Sequence, residues 1–373
     1  MSREAIGHVS GDGVLSTRLG PAERLRELLA WAVLAPSRHN TQPWAFDIEG
    51  ELLSVYADAR RALPVTDPDG RELFASCGAV LTNLVLSAAH FGYATSAEVL
   101  PGHRRDGLVA RVRFEERRPS TPESEELFRA IPRRRTNRMP LDGREPPPGL
   151  VAQLVREARR EGLSLRPVEE HQRALVAELV SEGDRVQWSN FRWRAELASW
   201  TRLSGSPRRD GIPAAAQGLS DLAAFLQPVL TRLRNPAGIE AERDRRRARA
   251  SRALLVLSSV RDGEADWVAV GEALQRLLLR ATAAGLSASY LNSAVEVPGL
   301  RVLLREAVGE SGLPQVMIRL GYGLEVPVPP RRKVEEVLRR FEPARRRAAA
   351  EALCRRAAPF TPSDSASPGV GPS

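Results

Sequence analysis

Arg134, Thr136 and Arg138 alternate along Ile131-Pro-Arg-Arg-Arg-Thr-Asn-Arg138, so in an extended backbone the three side chains share one face. Two guanidinium forks and a hydroxyl on one face suit a phosphate, because each planar fork donates paired hydrogen bonds to neighbouring oxygens. The same segment also reads as a solvated basic linker. Arg331, in Pro329-Pro-Arg-Arg-Lys333, offers a third cation, although a charge cluster opening a surface helix is equally ordinary. A second polar stretch, Ser37-Arg38-His39-Asn40-Thr41-Gln42, lies between Pro36 and Pro43 and carries donors and acceptors but no acid and no thiol. Ser37 and His39 have no carboxylate partner or nucleophile-elbow pattern nearby, which argues against hydrolysis. His39 reads as a structural imidazole or a weak catalytic candidate. No metal-ligand spacing and no Gly-x-Gly-x-x-Gly after a strand is present. What remains is a cofactor with a phosphate at one end and a planar polar ring at the other.

The elements that must position these groups are written as a repeat. Gly78–Tyr93 aligns without a gap with Gly271–Leu286, keeping glycine at Gly78/Gly271 and Gly92/Gly285, leucine at Leu81/Leu274, Leu84/Leu277 and Leu86/Leu279, and alanine at Ala88/Ala281. Apolar side chains on nearly every face predict two buried helices, each stopped by its second glycine in a left-handed cap. Two alanine- and leucine-rich helices could also look alike by composition alone. Taken as a true repeat, the pair predicts one fold written twice, imitating a symmetric homodimer within one chain.

Around that pair, Leu25, Leu28, Leu29, Ala32 and Val33 recur at helical spacing until Pro36, and Ala45–Ile48 and Leu52–Tyr56 read as strands. Asp67-Pro-Asp-Gly70 is a turn into the first repeat helix. Further strands are expected at Leu108–Phe114, Leu254–Ser258, Ser287–Leu291 and Val316–Leu320, and helices at Leu150–Glu161 and Glu169–Val180. Trp188, Phe191, Trp193 and Trp200 read as core or inter-domain packing, and Cys77 as a core residue. The expected organisation is a disordered leader over 1–20, a first, degenerate unit over 21–120, a second unit over 131–340 with a lid-like insertion at 204–250, and a charged, largely disordered tail over 341–373.

Composition narrows the class. The chain has 373 residues, 42% of them apolar, and a net charge of +9 in which Lys333 is the only lysine. Much of the basic excess falls on helix-like or tail segments without interleaved aromatics, so nucleic acid is not the expected partner. No long uncharged apolar run is seen, which predicts no membrane-spanning helix; Cys77 and Cys354 form no disulfide framework, and a reducing cytoplasm fits best.

Ala35-Pro-Ser-Arg-His-Asn-Thr-Gln-Pro-Trp-Ala-Phe46 resembles the Ala-Pro-Ser-x-x-Asn-x-Gln-Pro-Trp-x-Phe signature of FMN-dependent nitroreductases, and Arg134-Arg-Thr-Asn-Arg138 resembles their Arg-x-Ser-x-Arg phosphate motif. With Leu291-Asn-Ser-Ala-Val-Glu-Val-Pro298, Arg319-Leu-Gly-Tyr-Gly323 and the Arg331 segment, the likeness covers most of residues 21–340 and is greatest to the Acg-like branch, in which two nitroreductase units are fused. The resemblance implies an α+β nitroreductase-like fold, a pseudo-homodimer with a mixed sheet packed between helices, and FMN at the interface of the units. It implies Arg134, Thr136, Arg138 and Arg331 around the phosphate, Ser37, Arg38 and Asn40 near the ring and ribityl chain, and the backbone at Asn292 and Ser293 near the reactive edge. The usual Pro-x-Glu-Gly pattern is absent at that last position. The implied activity is electron transfer from NADH or NADPH, through FMN, to a small nitro, quinone, conjugated or biosynthetic acceptor, by a monomeric pseudo-dimer. A protein that sequesters FMN beneath the insertion, with little turnover, is the alternative; a basic interaction protein without cofactor is a third.

Overall fold

The computed structural model describes residues 21–100, 107–117, 119–203, 205–214 and 236–339. The expected leader, the whole of the expected tail with Cys354, and the 215–235 portion of the insertion lie outside the described residues.

In chain order the first half holds α1 (Pro21–Ala32), β1 (Trp44–Glu49), β2 (Leu52–Ala57), α2 (Arg71–His90), β3 (Tyr93–Val99), β4 (Leu108–Arg117) and α3 (Pro122–Ala130). The second holds α4 (Leu150–Arg160), β5 (Ser164–Pro167), α5 (Glu170–Ser189), α6 (Phe191–Trp200), β6 (Thr201–Arg202), β7 (Ile212–Pro213), α7 (Ala237–Ala250), β8 (Ala253–Ser259), α8 (Glu264–Ala283), β9 (Ser287–Tyr290), α9 (Ser293–Glu296), α10 (Pro298–Ala307), β10 (Leu313–Gly321) and α11 (Val334–Val337).

Helices α2 and α8 contain the sequence repeat and cross at its first glycine. A Cβ on Gly78 would lie 2.0 Å from the Val268 carbonyl oxygen, and one on Gly271 would lie 1.9 Å from that of Ala75. Only hydrogen at both positions lets the backbones meet. The buried Gln275 Nε2 donates to Asn83 Oδ1 at 2.6 Å across the same crossing. Gly92 and Gly285, with φ of 81° and 79°, take the left-handed conformation expected where each helix stops.

Beside a short parallel β6–β7 pair, the two four-stranded sheets repeat one topology. The first runs β1-β2-β4-β3 and the second β5-β8-β10-β9, with every neighbouring pair antiparallel. One parallel bridge ties each sheet to a distant segment, Leu338 beside Phe46 and Thr136 beside Ala288, which gives each edge a mixed character. Where β1 turns directly into β2, residues 168–252 separate β5 from β8.

Burial follows the strand patterns. Along β4, Val112 and Phe114 are buried while Arg111 and Arg113 are exposed, so the first sheet is wet on one face. All of β8 is buried, because α4 and α8 cover one face of the second sheet and α5, α9 and α10 the other. Trp267, Val268 and Leu279 of α8 belong to the first half's core, which joins the halves through one apolar interior.

The expectation that nothing here could cross a membrane is corrected by α2, which is long and apolar enough by length and composition. That apolarity is spent inside the protein, since 78% of its most apolar window is buried. Helix α5 runs past Val180 to Ser189, because the residues expected to begin an aromatic packing segment continue its turns.

Candidate functional site

The polar loop after α1 has a costly backbone. His39, Asn40 and Gln42 all have positive φ, 50°, 54° and 51°, a conformation that side chains other than glycine enter at a cost of roughly 1–3 kcal/mol each. Neighbouring segments hold it there. Gln42 N donates to Ser37 Oγ at 2.9 Å, Gln42 Nε2 to Arg209 O at 2.8 Å, and Arg332 N to Gln42 Oε1 at 2.8 Å. Asn40 Nδ2 donates to Gly211 O at 3.0 Å and Pro330 O at 3.1 Å, and Gly211 N donates back to Asn40 O. The loop is thus clamped by the early part of the insertion and by the Pro329–Arg332 segment.

Beside it lies a cavity of about 460 Å³, of ordinary size for a small-molecule site. Ser37, Arg38 and His39 reach it from the first half, with Glu72, Ala75, Ser76 and Ala79 of α2. Thr136, Arg138, Tyr290, Asn292 and Ser293 reach it from the second. Trp188, Trp193, Leu197 and Ile212 form one further wall, and Glu240, Asp244, Arg243 and Arg247 of α7 another. Asn40, Arg134 and Arg331 stand behind the lining. Arg331 Nη1 donates to Asn40 Oδ1 at 2.9 Å, and its Nη2 to Leu34 O at 3.3 Å.

Three arginines around this cavity lack a counter-ion. Among the described residues no carboxylate forms an ion pair with Arg134, Arg138 or Arg331, and the buried Nε atoms of Arg134 and Arg331 have no hydrogen-bond partner. Burial lowers the pKa of Arg134, brings Arg138 to about 10 with Arg38 adding repulsion, and brings Arg331 to about 9 with Arg134 and Arg135 adding theirs. His39 is held well below the usual imidazole range by burial and then by Arg38 and Arg138, and its Nε2 is unpartnered.

Acids gather around Arg38. Arg38 Nη2 donates to Glu296 Oε2 at 2.8 Å and Arg38 Nε lies 3.4 Å from Glu72 Oε2. Burial opposes the Arg38 charge, but Glu296 and Glu72 outweigh it. Asp184 is pushed up to about 8 by burial and then by Asp244. Asn292 Nδ2 donates to Glu72 Oε1 at 3.0 Å and its Oδ1 accepts from Met317 N at 2.9 Å, which fixes the start of α9; Ser293 Oγ donates to Val180 O at 3.0 Å.

No family model matches the sequence. Rv3131 of Mycobacterium tuberculosis, provisionally named an NAD(P)H nitroreductase, is 32% identical over 337 residues, covering 88% of this chain and 94% of that protein. The chain belongs to this NAD(P)H nitroreductase family. Acg of the same organism, provisionally named in the same way, is 28% identical over 84% of this chain and 94% of its own length. Among solved structures, the FMN-dependent nitroreductase NfnB from Mycobacterium smegmatis, in complex with NADPH, aligns with 59% of this chain and 99% of its own, at 18% identity and a TM-score of 0.38.

Within this family member, the sequence reading missed the acids and the indoles. Glu72 looked like an ordinary first-turn acid of a buried helix, and Glu296 lay inside a segment read for its backbone. Trp188 and Trp193, expected as packing, line the cavity with ring centroids 5.0 Å apart and planes at 66°, while Phe191 is 62% exposed. The usable signal was the run Asp184–Trp188, which carries an acid, an amide and an indole one helical turn apart on α5.

Proposed function

We propose that the protein is an FMN-dependent NAD(P)H oxidoreductase of nitroreductase type, a cytoplasmic monomeric pseudo-dimer reducing a small nitro, quinone, conjugated or biosynthetic acceptor, with no nucleic-acid or membrane partner. The observation that carries this reading is a set of arginines that form no ion pair among the described residues, buried Arg134 with half-buried Arg138 and Arg331, beside a cavity walled by both halves. Cations withdrawn this far from water call for an anion, and a terminal phosphate fits them. By this reading Arg134, Thr136, Arg138 and Arg331 would hold the phosphate. Ser37 and Arg38 would face the ring and ribityl chain, Asn40 would fix the loop and Arg331, and the backbone at Asn292 and Ser293 would border the reactive edge.

FMN, when bound, supplies the two-electron relay between nicotinamide and acceptor. The chain's residues supply position and electrostatics. The clamped loop keeps Ser37 and Arg38 in place, the arginines neutralise the phosphate, and the Trp188–Trp193 wall limits water and offers flat surfaces to a planar acceptor.

A sequestering role is the second reading. Ile212 and α7, both from the expected insertion, wall the cavity and favour restricted access. One measurement separates the two readings: the visible spectrum of the purified protein before and after anaerobic NADPH or NADH. The oxidoreductase reading expects a yellow protein that bleaches. A yellow protein that stays yellow supports sequestration, and a colourless one that cannot be reconstituted with FMN overturns both.

A further inference from the structure

Two carboxyl groups at the cavity share one arginine. Glu72, in the first turn of α2, lines the cavity, and Glu296, at the end of α9, stands behind it; their side chains are 11% and 1% exposed. The donors around them are already assigned. Glu72 Oε1 accepts from Asn292, and Glu296 Oε2 accepts from Arg38 at 2.8 Å and from Gln187 at 2.6 Å. The oxygens left without a donor are one on each residue, Glu72 Oε2 and Glu296 Oε1. Both side chains lie against one guanidinium, Glu296 Oε2 at 2.8 Å from Arg38 Nη2 and Glu72 Oε2 at 3.4 Å from Arg38 Nε. Two ionised carboxylates withdrawn from water around one cation repel each other, and a single proton on the pair removes that repulsion.

Charge balance leads to the same count. Arg38, from the signature loop, is the cation that pairs with both acids, and a pair holding one proton carries one negative charge. Arg71 and Asp67 flank Glu72 from the start of α2 and the turn before it, Asp184 faces Glu296 from α5, and Tyr290 faces Glu72 from β9. Burial raises Glu296, whereas Arg38 and Arg71 hold Glu72 low against its own burial. The proton therefore resides mainly on the inner member, with Glu72 between it and the cavity.

We propose that Glu72 and Glu296 share one proton and that Glu72 delivers it to the electron acceptor bound in the cavity. The proposal rests on the oxidoreductase reading. Reducing an acceptor by two electrons with NAD(P)H consumes one proton: NAD(P)H, a proton and the acceptor give NAD(P)+ and the reduced acceptor. The hydride equivalent derives from NAD(P)H. The proton leaves the pair as a carboxyl O–H bond breaks and a new bond to hydrogen forms on the acceptor, and the pair, left doubly charged beside Arg38, regains from solvent, through the cavity, the one proton that the reaction consumes.

The test combines a titration with split kinetics on the full chain carrying FMN. Infrared difference spectra across pH, with Glu72→Gln and Glu296→Gln as separate variants, read the protonated carboxyl without turnover. A carboxyl band at neutral pH that is lost in either variant is the expected result. Rapid-mixing kinetics then follow flavin reduction by NADPH and reoxidation by menadione. In Glu72→Gln the first rate is expected to stay within about twofold, and the second to fall about 100-fold and lose its decline at alkaline pH. No such band in the wild type, or a Glu72→Gln variant reoxidised at the wild-type rate with the same pH profile, overturns the proposal and leaves the oxidoreductase reading standing. A wild type that shows the band but is not reduced by NADPH overturns that reading, and the delivery step with it.

Discussion

At the scale of single residues, the site stores unfavourable charge that a ligand would relieve. Among the described residues Arg134 is buried with an unpartnered Nε and no acid in an ion pair, so in the free protein its charge is a cost. Arg134→Met is therefore expected to move stability and binding in opposite directions. The FMN-free variant should melt higher than the FMN-free wild type, while FMN affinity should weaken by about 1.5–3 kcal/mol through loss of a charged donor. Thermal melts and a fluorescence titration check the two signs, and unchanged affinity would place the phosphate elsewhere. Asp184 stores cost of another kind, with its pKa pushed up to about 8 by burial and then by Asp244. In the unfolded chain it ionises near its ordinary value of 3.8, so between there and about 8 the native state holds a proton that the unfolded state has lost. Stability contributed by this group is complete below the lower value and is lost as pH rises through the window. Asp184→Asn should flatten the decline, its melting temperature gaining on the wild type from about pH 5 to pH 8 by a few degrees. A parallel pair of curves would show that Asp184 is ionised throughout.

At the scale of elements, the deciding contact is the α2–α8 crossing. Glycine inside a helix normally costs about 1 kcal/mol relative to alanine, so Gly78→Ala and Gly271→Ala would ordinarily stabilise. Here a methyl group would sit about 2 Å from a backbone carbonyl oxygen at either position, and the helices would have to separate. Both substitutions are expected to destabilise by about 3 kcal/mol or more, and to weaken FMN binding because Glu72, Ala75, Ser76 and Ala79 of α2 line the cavity. Denaturant unfolding checks the first effect and cofactor titration the second. These helices were legible in the sequence because their cause is local: continuous apolarity, a small residue at the crossing and a capping glycine are all printed along the chain. The strands were legible for the same reason, including the alternation of β4 and the unbroken apolar run of β8. Which side chains meet in the cavity was not. Glu72 and Glu296 are separated by most of the chain, and their partnership exists only because the loop carrying Arg38 folds between them. Trp188 and Trp193 have the composition of a core, and only the bend between α5 and α6 turns them toward the cavity.

At the scale of the whole molecule, two copies of one sheet topology surround a shared helix pair, yet the copies are unequal where chemistry would be. From α1 the chain takes residues 33–43 to reach β1, long enough to carry the Ser37–Gln42 loop; from α4 it takes only residues 161–163 to reach β5. The short connection turns through Gly162, with φ of 76°, and offers no polar loop to a second cavity. The long insert between β5 and β8 is likewise confined to one copy, and its described parts add Trp188, Trp193 and α7 to the cavity beside that single loop. Duplication thus left a symmetric interior and an asymmetric rim. A symmetric pair would bind two flavins, one at each equivalent interface. This chain is expected to bind one. Reconstitution with excess FMN, followed by removal of free cofactor and measurement of flavin absorbance against protein concentration, should give a ratio near one per chain. A ratio near two would mean that the short α4–β5 connection supports a site of its own, and the assignment of function to the first loop would have to be abandoned.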